Sequence, residues 1–382
     1  MRALFINENI GGHATVHAHL RNALVGMDDI DVDIVDVPAP TGGRRFVGAA
    51  VPGLGRLDAD LQPLRAQLSL SGWVRRELRT RLAPGHGYDV LHVYTGNAAL
   101  RSAGLLASLP SVVSTDATNA TNNYRLPYRQ ATRFTPRAVR AAQRFERPVY
   151  EAASIVIANT GWVASSLRDA YGLGDDKLRV FPFGITRPPG IGSGPAPGTV
   201  APEGLPQLVF VGRQLERKGA LRLLRLHQQH LADECELVLV TPENPPPGRN
   251  VRVVSDVTVG SGRLWEVLRA AAVFVFPSVI DQAPNAVIEA QAAGLPVVVL
   301  DLGAMPEMVP TTVGRVVPPD DDEALVATLR DLVRHPEVRA ELGAAGRERF
   351  ESVYDARVST RRLVETLGEA RELFARREGT SR

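Results

Sequence analysis

The densest set of reactive side chains is Gly212-Arg213-Gln214-Leu215-Glu216-Arg217-Lys218-Gly219. It follows an apolar run, Leu208–Val211, that reads as a strand. A glycine at a strand's C-terminal end lets the backbone turn sharply, and Arg213 and Lys218 then stand where parallel sheets usually receive ligands. A guanidinium fork with an ammonium suits a diphosphate and needs no metal to neutralise it. The chain has 42 Arg and only 2 Lys, so a basic position taken at random would be Arg, and Lys218 is informative. A solvated basic turn is the plainer reading of the same residues.

The second set is Pro277-Ser278-Val279-Ile280-Asp281-Gln282-Ala283-Pro284-Asn285-Ala286-Val287-Ile288-Glu289-Ala290. It also leaves a strand and enters a helix. Asp281 falls in the loop, Asn285 in the first helical turn, and Glu289 four residues later on the same face. The helix N-terminus offers backbone N–H groups to ligand oxygens. A carboxylate accepts two hydrogen bonds from a vicinal diol, so Asp281 and Glu289 suit a sugar and a ribose. Taken alone, both acids read more simply as a cap and solvent-facing groups.

The elements that must position these residues follow from periodicity. At the N-terminus Ala3–Asn7 is a short apolar run, Gly11-Gly12 punctuates it, and Val16, Leu20, Ala23 and Leu24 recur at helical spacing. Val32–Val37, Asp89–Val93, Ser111–Ser114 and Ser154–Asn159 are further strands. Residues 186–206 hold six Pro and five Gly in twenty-one positions, which no regular element tolerates. Beyond this linker, Leu208–Val211, Glu236–Val240, Val251–Val254, Val273–Pro277 and Pro296–Leu300 alternate with helices at Leu221–Leu231, Leu264–Ala271 and Asn285–Ala293. From Asp320 the chain is mostly helical, opening on acids suited to a helix N-terminus. The class is α/β, with parallel sheets covered on both faces.

With these residues in place the chain resembles glycosyltransferase family 4, the retaining enzymes of the GT-B fold. GRQLERKG (212–219) and DQAPNAVIEA (281–290) carry most of the likeness. LDLGAMPEMV (300–309), GRVVPPDDDEAL (314–325), NIGGHATVHAHL (9–20), IVIANTGWVASSL (155–167) and VFPFGI (180–185) run in the same order. The resemblance implies two Rossmann-like domains facing each other across a cleft. It divides the chain into an acceptor domain (1–185), the linker (186–206), a nucleotide-sugar domain (207–350) and a helical segment (351–382) that crosses back to the first domain. By the same resemblance Arg213 and Lys218 hold the donor diphosphate, Glu289 the ribose, and the loop with Ala283, Pro284, Asn285 and Ala286 gives backbone N–H groups. Gly12 lets its loop approach the phosphate, and Asp281 contacts the transferred sugar. Two departures stand out. The family's acidic motif usually begins with Glu, where this chain has the shorter Asp281. Many members carry a histidine after the strand Ser111–Ser114, where this chain has Asp116, a second candidate catalytic acid.

Other chemistries are disfavoured. With 382 residues, 44% hydrophobic and 23% charged, the chain can build two or three cores, and its net charge of +2 excludes bulk phosphate neutralisation, so no nucleic-acid partner is expected. The single Cys235 excludes an intramolecular disulfide or a thiolate zinc site. No apolar run approaches a membrane span, and the N-terminal run is too short for a signal peptide, so a cytoplasmic protein is expected. His13 and His17 share a helical face, but no acid follows His13, and no metal is expected. No Gly-x-Ser-x-Gly or phosphate-loop lysine motif is present. Arg125, Arg129, Arg133, Arg137, Arg140, Arg144 and Arg147 form a stripe that Pro127 and Pro136 should break in two. It is a solvated face, or an acceptor-side surface for an anionic substrate or for weak peripheral contact with the inner membrane face. The expectation is thus a metal-independent glycosyltransferase using a nucleotide-diphosphate sugar, with a small molecule, lipid or polysaccharide as acceptor. A nucleotide-sugar epimerase of the same fold and a catalytically silent GT-B scaffold are the alternatives.

Overall fold

The computed structural model describes residues 1–9, 12–49, 51, 61–121, 135–188, 204–258, 260–279, 281 and 283–380. Most of the Pro/Gly-rich linker, Gly11, Gln282, Pro127 and the first three arginines of the stripe lie outside the described residues. The chain divides into two compact units, residues 1–183 with 359–382, and residues 184–358.

The first unit holds six parallel strands: β1 (Arg2–Glu8), β2 (Asp31–Val37), β3 (Val90–Tyr94), β4 (Ser111–Thr115), β5 (Ile155–Ala158) and β6 (Leu178–Val180), in the order β2-β1-β3-β4-β5-β6. Period-two alternation divides its core. Leu4, Ile6, Leu91, Val93, Val113 and Val156 face one layer, and Ala3, Phe5, Val90, Val112, Ile155 and Ile157 the other. The second layer includes Val16 and Leu20 of helix His13–Leu24 and Leu363, Leu367 and Ala370 of helix Ala356–Thr380.

The second unit holds β7 (Gln207–Val211), β8 (Glu236–Val240), β9 (Val251–Val254), β10 (Val273–Phe276), β11 (Val297–Leu300) and β12 (Gly314–Val317), in the order β12-β11-β10-β7-β8-β9. All pairings are parallel. Central strands such as Val273–Phe276 are apolar throughout because helices bury both faces. Asp321 caps helix Asp322–Arg334 through its carboxylate and the N–H of Ala324, at 2.8 Å.

The described part of the arginine stripe lies on helix Thr135–Ala152, which has Pro136 at its start and Pro148 in its interior; residues 125–134, where the stripe begins, lie outside the described residues. On this helix Arg137, Arg140 and Arg144 are exposed. Arg147, also exposed, donates to the carbonyls of Ala170 and Tyr171, at 2.9 and 2.5 Å, holding the end of helix Gly161–Tyr171.

Candidate functional site

In an open parallel sheet, ligands bind beyond the strand C-termini where the order reverses. In the second unit this point lies between β7 and β10. The loop after β7 is 212–219 and the loop after β10 is 277–284, so the topology brings both sequence-predicted segments together.

Gly219 shows how tightly. It has φ of +78°, and a Cβ there would lie 2.1 Å from the carbonyl oxygen of Pro277. Only glycine permits both the left-handed backbone and the contact between the loops. That contact places Lys218 Nζ 3.5 Å from Asp281 Oδ1, with each side chain 18% exposed. The ammonium also sits 5.0 Å from the centroid of the Phe276 ring. Asp281 is held in turn by Ser278, whose Oγ donates to Oδ2 at 2.8 Å and accepts the Asp281 N–H at 3.2 Å. Lys218 and Asp281 therefore form one unit. Arg213 is exposed and outside that pair.

Glu289 lies on helix Asn285–Ala293 and is 5% exposed. Burial alone pushes its carboxyl up to about 7, because no cation or donor among the described residues offsets the lost hydration. A buried acid without a partner is a group waiting for hydrogen-bond donors. Ala283, Asn285 and Ala286 are half-buried beside it in sequence and Pro284 is buried, immediately ahead of the helix.

In the first unit the order reverses between β1 and β3. Gly12 precedes helix His13–Leu24 there with φ of −69°, a value open to any residue. His13 Nε2 stands 2.8 Å from Asp116 Oδ2, joining the loop after β1 to the loop after β4. Burial disfavours the imidazolium, but the charge and hydrogen bond of Asp116, then Glu8, outweigh it and raise His13 to about 9. Asp116 is lowered, its own burial being overcome by His13. One turn on, His17 is pushed down to about 3 by burial and then by the positive charge of His13. Neutral His17 meets Asn9 Oδ1 through Nδ1 at 2.6 Å. Both imidazoles meet the Tyr94 ring edge-on, with centroids 4.9 Å away. Glu8 is raised by burial against the lowering effect of the Thr95 hydroxyl that donates to it.

Sequence reasoning missed Glu8, Tyr94, Thr95 and Glu146. Glu8 carried a signal, an acid ending an apolar strand. Glu146 carried none; it is fully buried and accepts the Asn119 N–H at 3.0 Å and the hydroxyls of Tyr150 and Tyr171. That network anchors the loop behind Asp116. Among the described residues no cluster of His, Cys, Asp or Glu is placed to hold a metal ion, and no helix is long and apolar enough to cross a membrane.

Known proteins match this arrangement. Residues 10–187 match the model of Glycosyltransferase Family 4, and residues 205–335 that of Glycosyl transferases group 1. The chain is 29% identical over 348 residues to alpha-maltose-1-phosphate synthase of Mycolicibacterium smegmatis, covering 84% of this chain and 86% of that protein. Its fold is similar to that of a sucrose-phosphate synthase from Thermosynechococcus elongatus, with a TM-score of 0.71, 20% identity, and coverage of 98% and 99%. Anabaena HepE, solved in complex with UDP-glucose, gives a TM-score of 0.62 at 15% identity, with coverage of 97% and 100%. With its two parallel-sheet units, the chain is a glycosyltransferase of GT-B fold that carries a Glycosyltransferase Family 4 domain followed by a Glycosyl transferases group 1 domain.

Proposed function

We propose that the enzyme is a retaining glycosyltransferase whose donor is a nucleoside-diphosphate sugar. The observation that carries this reading is the meeting, at the β7/β10 reversal, of a lysine–aspartate pair with a nearby helix that bears a buried carboxylate without a partner among the described residues. The named complex of HepE with UDP-glucose supports the donor class.

In this reading Arg213 and Lys218 bind the diphosphate, and Lys218 is shared between Asp281 and a phosphate oxygen. Backbone N–H groups at Ala283, Asn285 and Ala286, shaped by Pro284, contact phosphate or sugar. Glu289 accepts the ribose hydroxyls, which supply hydrogen bonds that no described residue gives it. Asp281 faces the transferred sugar. In the first unit Gly12 lets its loop lie close to the phosphate, and Asp116, charged and paired with His13, favours the developing oxocarbenium-like centre. The bond from the anomeric carbon to the diphosphate oxygen breaks with its electron pair leaving on the diphosphate. An acceptor hydroxyl oxygen bonds the same carbon, and its proton passes to the leaving group. Cations already held by the fold stabilise that leaving group, so no metal or other cofactor is required. The acceptor is a hydroxyl of a small molecule, lipid or polysaccharide, and no nucleic acid takes part. The setting we propose is cytoplasmic, with Arg137, Arg140 and Arg144 giving weak contact with an anionic membrane face.

The test is thermal stabilisation by UDP-, GDP- and ADP-sugars in EDTA, since a ligand at a hundred times its Kd stabilises by about 2.7 kcal/mol. One nucleotide series should raise the melting temperature, and acceptor should then be needed for nucleotide release, which separates transfer from epimerisation. Stabilisation by none, or only when Mg²⁺ is added, overturns the reading.

A further inference from the structure

Glu243 stands in the loop after β8 and has no role in the reading above. Its Oε1 accepts the backbone N–H of Gln214, and its Oε2 accepts that of Leu215 at 3.2 Å. Its own N–H donates to Thr241 Oγ1 at 3.2 Å, which fixes the side chain's origin. Two successive amides aimed at one anion make a concave anion seat, and here the protein fills that seat itself.

The seat is coupled to the cations. Gln214 has φ of 61°, in the left-handed region that favours glycine, so an outside contact is needed to hold it there. The carbonyls of the same two residues are used further on. Gln214 O accepts the N–H of Lys218 at 3.0 Å, and Leu215 O accepts that of Ala220 at 2.8 Å. A chain of contacts thus runs from Glu243 through Gln214 and Leu215 to Lys218 and the start of helix Ala220–His230. Lys218 then meets Asp281 on the neighbouring loop.

We propose that Glu243 is a positioning residue for donor recognition. It holds Gln214 in its left-handed conformation and sets the direction of Arg213 and Lys218. It also withholds two amides from the donor, so that side-chain cations rather than this stretch of backbone read the diphosphate. The proposal rests on the reading that loop 212–219 binds a diphosphate. A carboxylate that merely kept the seat for the donor's phosphate would act in the opposite direction: its removal would tighten nucleotide binding.

The experiment uses the full chain, with UDP as titrant in a calorimeter and backbone hydrogen exchange as a ligand-free readout. Glu243→Ala should weaken UDP by about tenfold to fiftyfold, the consequence of losing two charge-assisted hydrogen bonds that order the loop. Formate, which fits the vacated seat, should restore most of that affinity in Glu243→Ala and leave the unmutated enzyme unchanged. Glu243→Gln, which keeps one accepting oxygen, should fall between the two. Without any nucleotide, the amides of Gln214 and Leu215 should exchange at least tenfold faster in Glu243→Ala than in the unmutated chain. Unchanged or tighter UDP binding overturns the proposal, and so does a loss that formate does not reverse. Unchanged exchange at those two amides overturns it whatever UDP does. If the unmutated enzyme binds no nucleoside diphosphate, the donor reading has failed, and the exchange data alone decide whether Glu243 orders the loop.

Discussion

Replacing Glu289 by Gln should make the protein's stability less sensitive to pH while weakening its hold on nucleotide. Glu289 is buried, and its carboxyl is raised from its ordinary 4.5 to about 7 by burial alone. The folded chain therefore holds the proton more tightly than the unfolded chain does. The favourable neutral state is fully present below 4.5 and is lost as pH rises through about 7. At ~1.36 kcal/mol per decade of proton affinity, that gap corresponds to about 3 kcal/mol of lost stability above pH 7. Gln cannot ionise, so this loss disappears in Glu289→Gln. Burying the amide has its own cost, about 1–3 kcal/mol for an unpaired donor, but that cost does not change with pH. The difference between the two proteins should therefore shift by about 2–3 kcal/mol in favour of Gln on going from pH 5 to pH 8. Denaturant titrations at several pH values measure it. The ligand reads the same group with the opposite sign. Ribose hydroxyls donate to the ionised carboxylate, so UDP affinity should rise with pH up to about 7 and then level off. In Glu289→Gln affinity should be lower and flat. Stability curves that keep a constant separation from pH 5 to pH 8 would refute the reasoning.

Two further variants probe the rest of the site. Arg213→Ala and Lys218→Ala should each weaken donor binding, by roughly tenfold to a hundredfold for one lost charge-assisted contact. The lysine variant should lose more, because it also leaves the Asp281 carboxylate without its ion pair beside the bound donor; equal affinity in the double variant would exclude the diphosphate assignment. Asp116→Asn should lower turnover by about tenfold to a thousandfold with little change in melting temperature, since Glu146 and Asn119 anchor the loop independently. The same change should move the titration of His13 below about 9, visible by NMR, and normal turnover would remove Asp116 from the site.

What could be read in advance was whatever depends on short range. Strands such as Glu236–Val240 and helix Asn285–Ala293 announce themselves by apolar runs, β-branched residues and a proline in front. The two donor loops were legible because cations and acids follow such strands directly. Elements whose sequence is mixed were not. Helix Gln62–Arg81 is too arginine-rich to show a clear apolar face, and β6 and β12 are short edge strands in which Leu178 and Val317 are the only buried side chains. Partnerships across long separations were out of reach as well. His13 and Asp116 are 103 residues apart, and Glu243 grips amides that any residue type would present. Local pattern locates a reactive residue, but tertiary geometry decides what it faces.

The placement of helix Ala356–Thr380 bears on how the chain is made. Its Leu363, Leu367 and Ala370 complete the layer that covers Phe5, Val112 and Ile157, so the sheet of the first unit is translated well before the helix that closes it. Residues 184–358 are translated in the interval, which at about 5–20 residues per second takes roughly ten to thirty seconds. Throughout that time one face of the nascent sheet has apolar surface without its cover. The contiguous second unit has all its strands available earlier, and the final helix arrives as a late clasp. Chaperone engagement in a growing cell should thus concentrate on residues 1–183, and release should coincide with emergence of helix Ala356–Thr380.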